Sequence, residues 1–208
     1  MAHMIGRLLC LIGIHDFRLL DVTLGFGTGG GVAIGGEILT GPNAIAGEWG
    51  HNPLPWPRTE AGESGPPEWP GPPCYCGKSG CIETYLSGPG LTRDLQIHTG
   101  EKREPAAIAD AAAAGDERAE AALRRYEDRM ARALASVINV LDPDVIVLGG
   151  GLSNLRRLYD SVPRLWGAHV FSDEVATRLV RAHHGDASGV RGAARLWAVD
   201  EVQQSPER

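Results

Sequence analysis

Apolar positions change their period several times along the chain, and each change marks an element. Residues 19–24 (LLDVTL) form a short apolar run that reads as a buried strand entering a glycine-rich turn at 25–31 (GFGTGGG). Residues 32–39 (VAIGGEIL) read as the returning strand of a hairpin, with Gly35 and Gly36 supplying a turn. Helical character begins at Cys81, runs irregularly to about Leu95, breaks at polar residues 98–104 and resumes in alanine-rich 106–114. The strongest helix comes next. Leu123, Tyr126, Met130, Leu134, Val137 and Leu141 recur at spacings of three and four, while Arg124, Arg125, Glu127, Asp128 and Arg132 occupy an opposite, polar face. Asp142-Pro143 ends it. Residues 145–148 (VIVL) are a β-branched strand, turned by Gly149, Gly150 and Gly151 into a helix at about 152–166. A strand near 177–182 and a last helix at about 188–199 complete the pattern. Strands alternating with helices predict an α/β fold with a layered, partly parallel sheet.

Between these elements, residues 41–80 are dense in Gly, Pro and Trp, too irregular for long helices and too long for a free loop in a compact domain. The proline-dense stretch 53–73 reads as an excursion over the surface, which something other than secondary structure must hold. Three thiols follow it at spacings of two and five, Cys74, Cys76 and Cys81, with Gly77 and Gly80 permitting the tight turn of a metal knuckle. Pairing within this cluster would leave an odd thiol, so a metal is the better reading. A closed structural zinc site needs a fourth ligand. His51, at the end of Gly47-Glu-Trp-Gly-His51, is the nearest upstream histidine, and His98 is the alternative. Zinc binding at ~10 kcal/mol or more would offset the ordering entropy of the loop. Cys10, far away in an apolar segment, reads as a small buried hydrophobe.

With 208 residues the chain can bury a sizeable core, and its formal net charge of −6 with scattered arginines argues against nucleic acid or an anionic membrane as partner. No apolar run reaches the ~18 residues of a membrane span. Residues 5–14 (IGRLLCLIGI) make a poor signal peptide, because Asp16 and Arg18 follow where small residues of a cleavage site would stand. The expected location is the cytoplasm.

The run GEWGHNPLPWP, followed by CYCGKSGCIETYLSGPGL, resembles the signature of the ROK family, a group of bacterial sugar kinases, open-reading-frame products and sugar-responsive repressors. NPLPW after the histidine, the long insertion before the first cysteine, LDPDVIVLGGGLSN and HGDASGVRGAA resemble its fructokinase branch. The resemblance implies that His51 binds structural zinc with Cys74, Cys76 and Cys81 and also faces the sugar, while Glu48 and Glu83 contact sugar hydroxyls. Zinc would then act at one remove, fixing the His51 ring and the helix start at Glu83.

Two glycine segments stand where the family approaches ATP. Gly27, Thr28 and Gly29 lie in the phosphate-loop region, with Thr28 as hydroxyl donor, although strict alignment from Val32 backwards puts Phe26 at the family threonine. Gly149, Gly150 and Gly151 stand at the adenosine-side loop. The sequence contains neither the DxGxT phosphate motif nor the ND motif that carries the Asp base, and Asp16 is too close to the strand to replace it. The implied fold is the carboxy-terminal lobe of an actin-like, ribonuclease H-like ATPase with an inserted zinc loop at 47–83. Residues 1–18 form an atypical amino-terminal segment, 19–200 the kinase domain and 201–208 a tail. The implied function is phosphorylation of a hexose, fructose to fructose 6-phosphate, with MgATP as cosubstrate, impaired for want of the base. A homo-oligomer is expected. A non-catalytic, zinc-stabilised sugar-binding or dimerisation module is the alternative.

Overall fold

The computed structural model describes residues 18–25, 27–60 and 66–185. The expected amino-terminal segment with Cys10 and Asp16, the Phe26 alignment and the helix at 188–199 lie outside these residues.

Strand β1 (Arg18–Leu24) pairs antiparallel with β2 (Thr28–Ile34), which pairs antiparallel with a short β3 (Glu37–Ile38) across Gly35 and Gly36. The returning strand thus begins at Thr28 rather than Val32, and Gly29, Gly30 and Gly31 are strand residues instead of turn. At Gly30 a second segment lies against the strand, with the Trp49 indole nitrogen and the Gly47 carbonyl about 3 Å from where a Cβ would stand. On the other side β1 pairs in parallel with β4 (Val145–Gly149), and β4 in parallel with β5 (Arg178–Arg181). The sheet order is β3-β2-β1-β4-β5.

Among the described residues, five helices follow the predicted periodicity with adjusted bounds: α1 (Glu83–Leu86), α2 (Gly88–Thr99), α3 (Pro105–Ala113), α4 (Glu117–Leu141) and α5 (Leu158–Trp166). The irregular helix expected from Cys81 is divided at Ser87, whose hydroxyl caps α2 by accepting the Gly90 N–H at 3.1 Å. Asp116 caps α4 by accepting from Arg118 and Ala119, and such caps contribute about 1 kcal/mol each. The helix expected at 152–166 instead opens with a separate single turn at Gly151–Asn154.

Leu20, Val22 and Leu24 of β1 and Ile146 and Leu148 of β4 form one face of the sheet. Leu123, Tyr126, Met130 and Leu134 of α4 pack onto it, each almost fully buried and worth about 1.5–3 kcal/mol. The polar face of α4 is not solvated as its composition suggests: Arg125, Glu127, Arg129 and Arg132 are all buried. The reason is that α2 and the proline-dense segment cover the arginines with the carboxylates Asp94 and Glu68, while Arg157, just before α5, meets Glu127. Among the described residues no helix is long and apolar enough to cross a membrane.

Candidate metal centre and binding cleft

The segment 47–51 runs alongside β2, and its closeness sets where His51 stands. A Cβ at Gly50 would overlap the Thr28 carbonyl, so only glycine lets the single turn Trp49–His51 lie so near the strand. Trp49 anchors it, buried and donating its indole N–H to the Gly29 carbonyl at 3.3 Å.

The cysteine segment closes on itself. Cys74 N donates to the Lys78 carbonyl at 2.8 Å, Gly77 N to the Cys74 carbonyl at 3.0 Å, and bridges Pro73–Ser79 and Pro53–Cys81 tie the knuckle to the segment beyond His51. Four donor atoms from His51, Cys74, Cys76 and Cys81 therefore lie within 4.8 Å of one another. Nδ1 of His51 is 3.6 Å from Cys74 Sγ, and Cys76 Sγ is 3.6 Å from Cys81 Sγ. A tetrahedron with metal–sulfur and metal–nitrogen bonds near 2.3 and 2.0 Å has edges of roughly 3.5–3.8 Å, so these residues fit one tetrahedral ion. The alternative ligand, His98, is elsewhere: it sits on α2 with its Nδ1 2.7 Å from the Asp94 carbonyl. The thiols differ electrostatically. The Lys78 backbone N–H lowers Cys76 to about 7, whereas burial pushes Cys81 up to about 12.

The proline-dense segment has a second tether that sequence reasoning missed. Glu68, its side chain 1% exposed, receives Arg129 at 2.7 Å and Arg132 at 2.9 Å from α4, and its other contacts include the Arg58 N–H at 3.0 Å. Asp94 of α2 receives Arg129 at 2.6 Å and Arg125 at 2.7 Å. Burial alone would raise both carboxyls, but hydrogen bonds and guanidinium charge outweigh it and hold both below their ordinary values. Arginines at 125, 129 and 132 recur at helical spacing, and that stripe was the available signal.

Glu83 opens α1, and its Oε2 accepts the Thr28 N–H at 3.1 Å. The structure thus brings Glu83, Thr28, Gly27 and His51 to one end of the β1–β2 hairpin, with Glu48 exposed beside Trp49. Thr28, expected to offer its hydroxyl to a phosphate, is 3% exposed, and that hydroxyl is buried without a partner. Of the glycines at 25–31, Gly25 lines a cavity of about 1030 Å³ together with Gly151, Gly88, Thr92, Arg93 and Lys102. Gly149 ends β4 and pairs with Thr23, while Gly150, at φ 79°, packs against the Leu24 backbone, where a Cβ would overlap the carbonyl.

The chain is thus an α/β protein whose mixed sheet carries a His/Cys cluster and an acidic helix start at one end of the β1–β2 hairpin. The model of the family described as ROK matches residues 16–200, and the chain belongs to the ROK family. N-acetyl-D-glucosamine kinase of Vibrio vulnificus strain YJ016 is 36% identical over 178 residues, which are 86% of this chain and 58% of that protein. The enzyme of the same name from Salmonella newport strain SL254 is 37% identical over 182 residues, 88% of this chain and 59% of that one. The chain thus spans about three fifths of the length of these curated relatives. Among solved structures, the ROK hexokinase of Thermus thermophilus superposes with a TM-score of 0.72 at 30% identity, covering 91% of this chain and 59% of that one. The ROK family glucokinase of Streptomyces griseus, solved with glucose and AMPPNP, gives 0.74 at 27% identity, covering 94% and 65%. The α/β fold is that of ROK sugar kinases.

Proposed function

We propose that this chain is the sugar- and adenosine-binding part of an ATP-dependent hexose kinase, corresponding to the carboxy-terminal lobe of an actin-like fold, with the loop 47–83 held by structural zinc. The observation that carries the reading is the meeting of Glu83 and the Cys-cluster histidine at one end of the β1–β2 hairpin. Zinc, when bound, supplies a fixed anchor for the imidazole and the three thiolates and leaves no open coordination position for chemistry. The chain's own residues do the rest. With Nδ1 turned to the thiols, His51 keeps Nε2 for a sugar hydroxyl, and Glu48 and Glu83 accept from neighbouring hydroxyls in fixed directions, so a sugar lacking one of them leaves a group unpaired.

MgATP would enter the cavity between Gly25 and Gly151, its adenosine against the turn that follows Gly149 and Gly150 and its phosphates toward the hairpin carrying Gly27, Thr28 and Gly29. Fructose is the acceptor implied by the sequence resemblance, and N-acetyl-D-glucosamine the one in the curated relatives' names. Phosphoryl transfer needs a group that orients the attacking hydroxyl.

The burial of the Thr28 hydroxyl, which keeps it from a phosphate, favours a second reading, a sugar-binding module without catalysis. Calorimetric titration with fructose, N-acetyl-D-glucosamine and glucose, with and without MgATP, tests both. Sugar binding that strengthens with nucleotide supports the kinase reading, sugar binding indifferent to nucleotide supports the module, and binding of none of the three overturns both.

A further inference from the structure

Tyr75 lies between the first two cysteines of the knuckle, and the metal reading gives its side chain no task. Its residue is 83% exposed, as expected for a position between two ligands that point inward. Yet its hydroxyl is not idle: Oη is 2.8 Å from His51 Nε2, and its ring stands edge-on to the imidazole, centroids 5.0 Å apart at 87°. The two imidazole nitrogens are therefore divided, Nδ1 toward Cys74 Sγ and Nε2 toward the phenol. An imidazole whose Nδ1 lone pair serves a metal carries its remaining proton on Nε2. Nε2–H then donates to Tyr75 Oη.

One N–H cannot donate well to two acceptors at once. We propose that Tyr75 is a displaceable occupant of the sugar-facing nitrogen of His51: its hydroxyl takes the place of a hexose hydroxyl while the site is empty and must yield that nitrogen when the sugar arrives. This rests on the hexose-binding reading above. High exposure makes the departure easy, since the phenol exchanges its bond to His51 for bonds to water and little packing is lost. Tyr75 accordingly sets hexose affinity through His51 without being a metal ligand or a contributor to the core.

The test is calorimetry on the zinc-loaded full chain and its Tyr75→Phe variant, with D-fructose, N-acetyl-D-glucosamine and D-glucose as probes and metal content measured by elemental mass spectrometry. Removing one oxygen frees Nε2, and the expected result is roughly three- to tenfold tighter binding of whichever sugar the parent binds, the scale of one neutral hydrogen bond, with the zinc-to-protein ratio unchanged. Equal or weaker binding by the variant, with the parent binding normally, overturns the proposal alone. If neither protein binds any of the sugars while both are folded and metal-loaded, the hexose reading fails and the proposal falls with it.

Discussion

The Glu83 carboxylate and the Thr28 backbone N–H, 55 positions apart in sequence, meet at 3.1 Å and join the start of α1 to the tip of the β1–β2 hairpin. One oxygen of this carboxylate is thereby fixed, which aims the other. Glu83→Gln keeps an acceptor for Thr28, so its melting temperature should stay within a few degrees of the parent. Sugar affinity should still fall at least about tenfold, because an ionised acceptor makes the stronger bond to a hydroxyl. Paired thermal melts and calorimetry separate the two effects.

Glu68 carries a comparable prediction for stability. Replacing it by Gln leaves Arg129 and Arg132 buried and under-compensated, and breaking a buried pair in this way costs about 3–5 kcal/mol. Urea denaturation should show a loss of that order, and the proline-dense segment should become a preferred site of limited proteolysis.

The same network sets an acid limit. Glu68 and Asp94 have folded pKa values held below their ordinary ones, so the unfolded chain binds protons first as pH falls. Their stabilisation is complete above the usual carboxylate range and is lost as pH drops through the depressed folded values. Urea midpoints measured from pH 7 to pH 3 should fall steeply below about pH 4.5, and Glu68→Gln should flatten part of that slope.

The sequence made the His/Cys cluster readable because thiols and imidazoles are few and their spacing is constrained: Cys74, Cys76, Cys81 and His51 converge, while His98 does not. The apolar stripe of α4 was equally clear, since Leu123, Tyr126, Met130 and Leu134 obey helical spacing and are buried. Two features were hidden. Gly29, Gly30 and Gly31 looked like a turn because glycine usually punctuates, but they are strand, and Gly30 leaves bare backbone where Gly47 and Trp49 approach. Glu68 carries no local signal in the proline-dense stretch, and only tertiary packing puts three cationic residues around it.

Gly150 tests the turn that lines the cavity. At φ 79° and with the Leu24 carbonyl in the way of a Cβ, Gly150→Ala should cost about 1–3 kcal/mol and shift the turn at Gly151–Asn154 outward. Binding of a nucleotide analogue such as AMPPNP, followed by calorimetry, should weaken more than sugar binding does.

The most direct measurement is the hexose-induced shift in melting temperature on samples holding zinc and on samples stripped by a chelator, with metal content determined on each. Protein with one zinc per chain should melt higher when a hexose is added, whereas stripped protein should show no shift until zinc is restored. Freshly purified protein without stoichiometric zinc, or an equal hexose shift after stripping, would contradict the account.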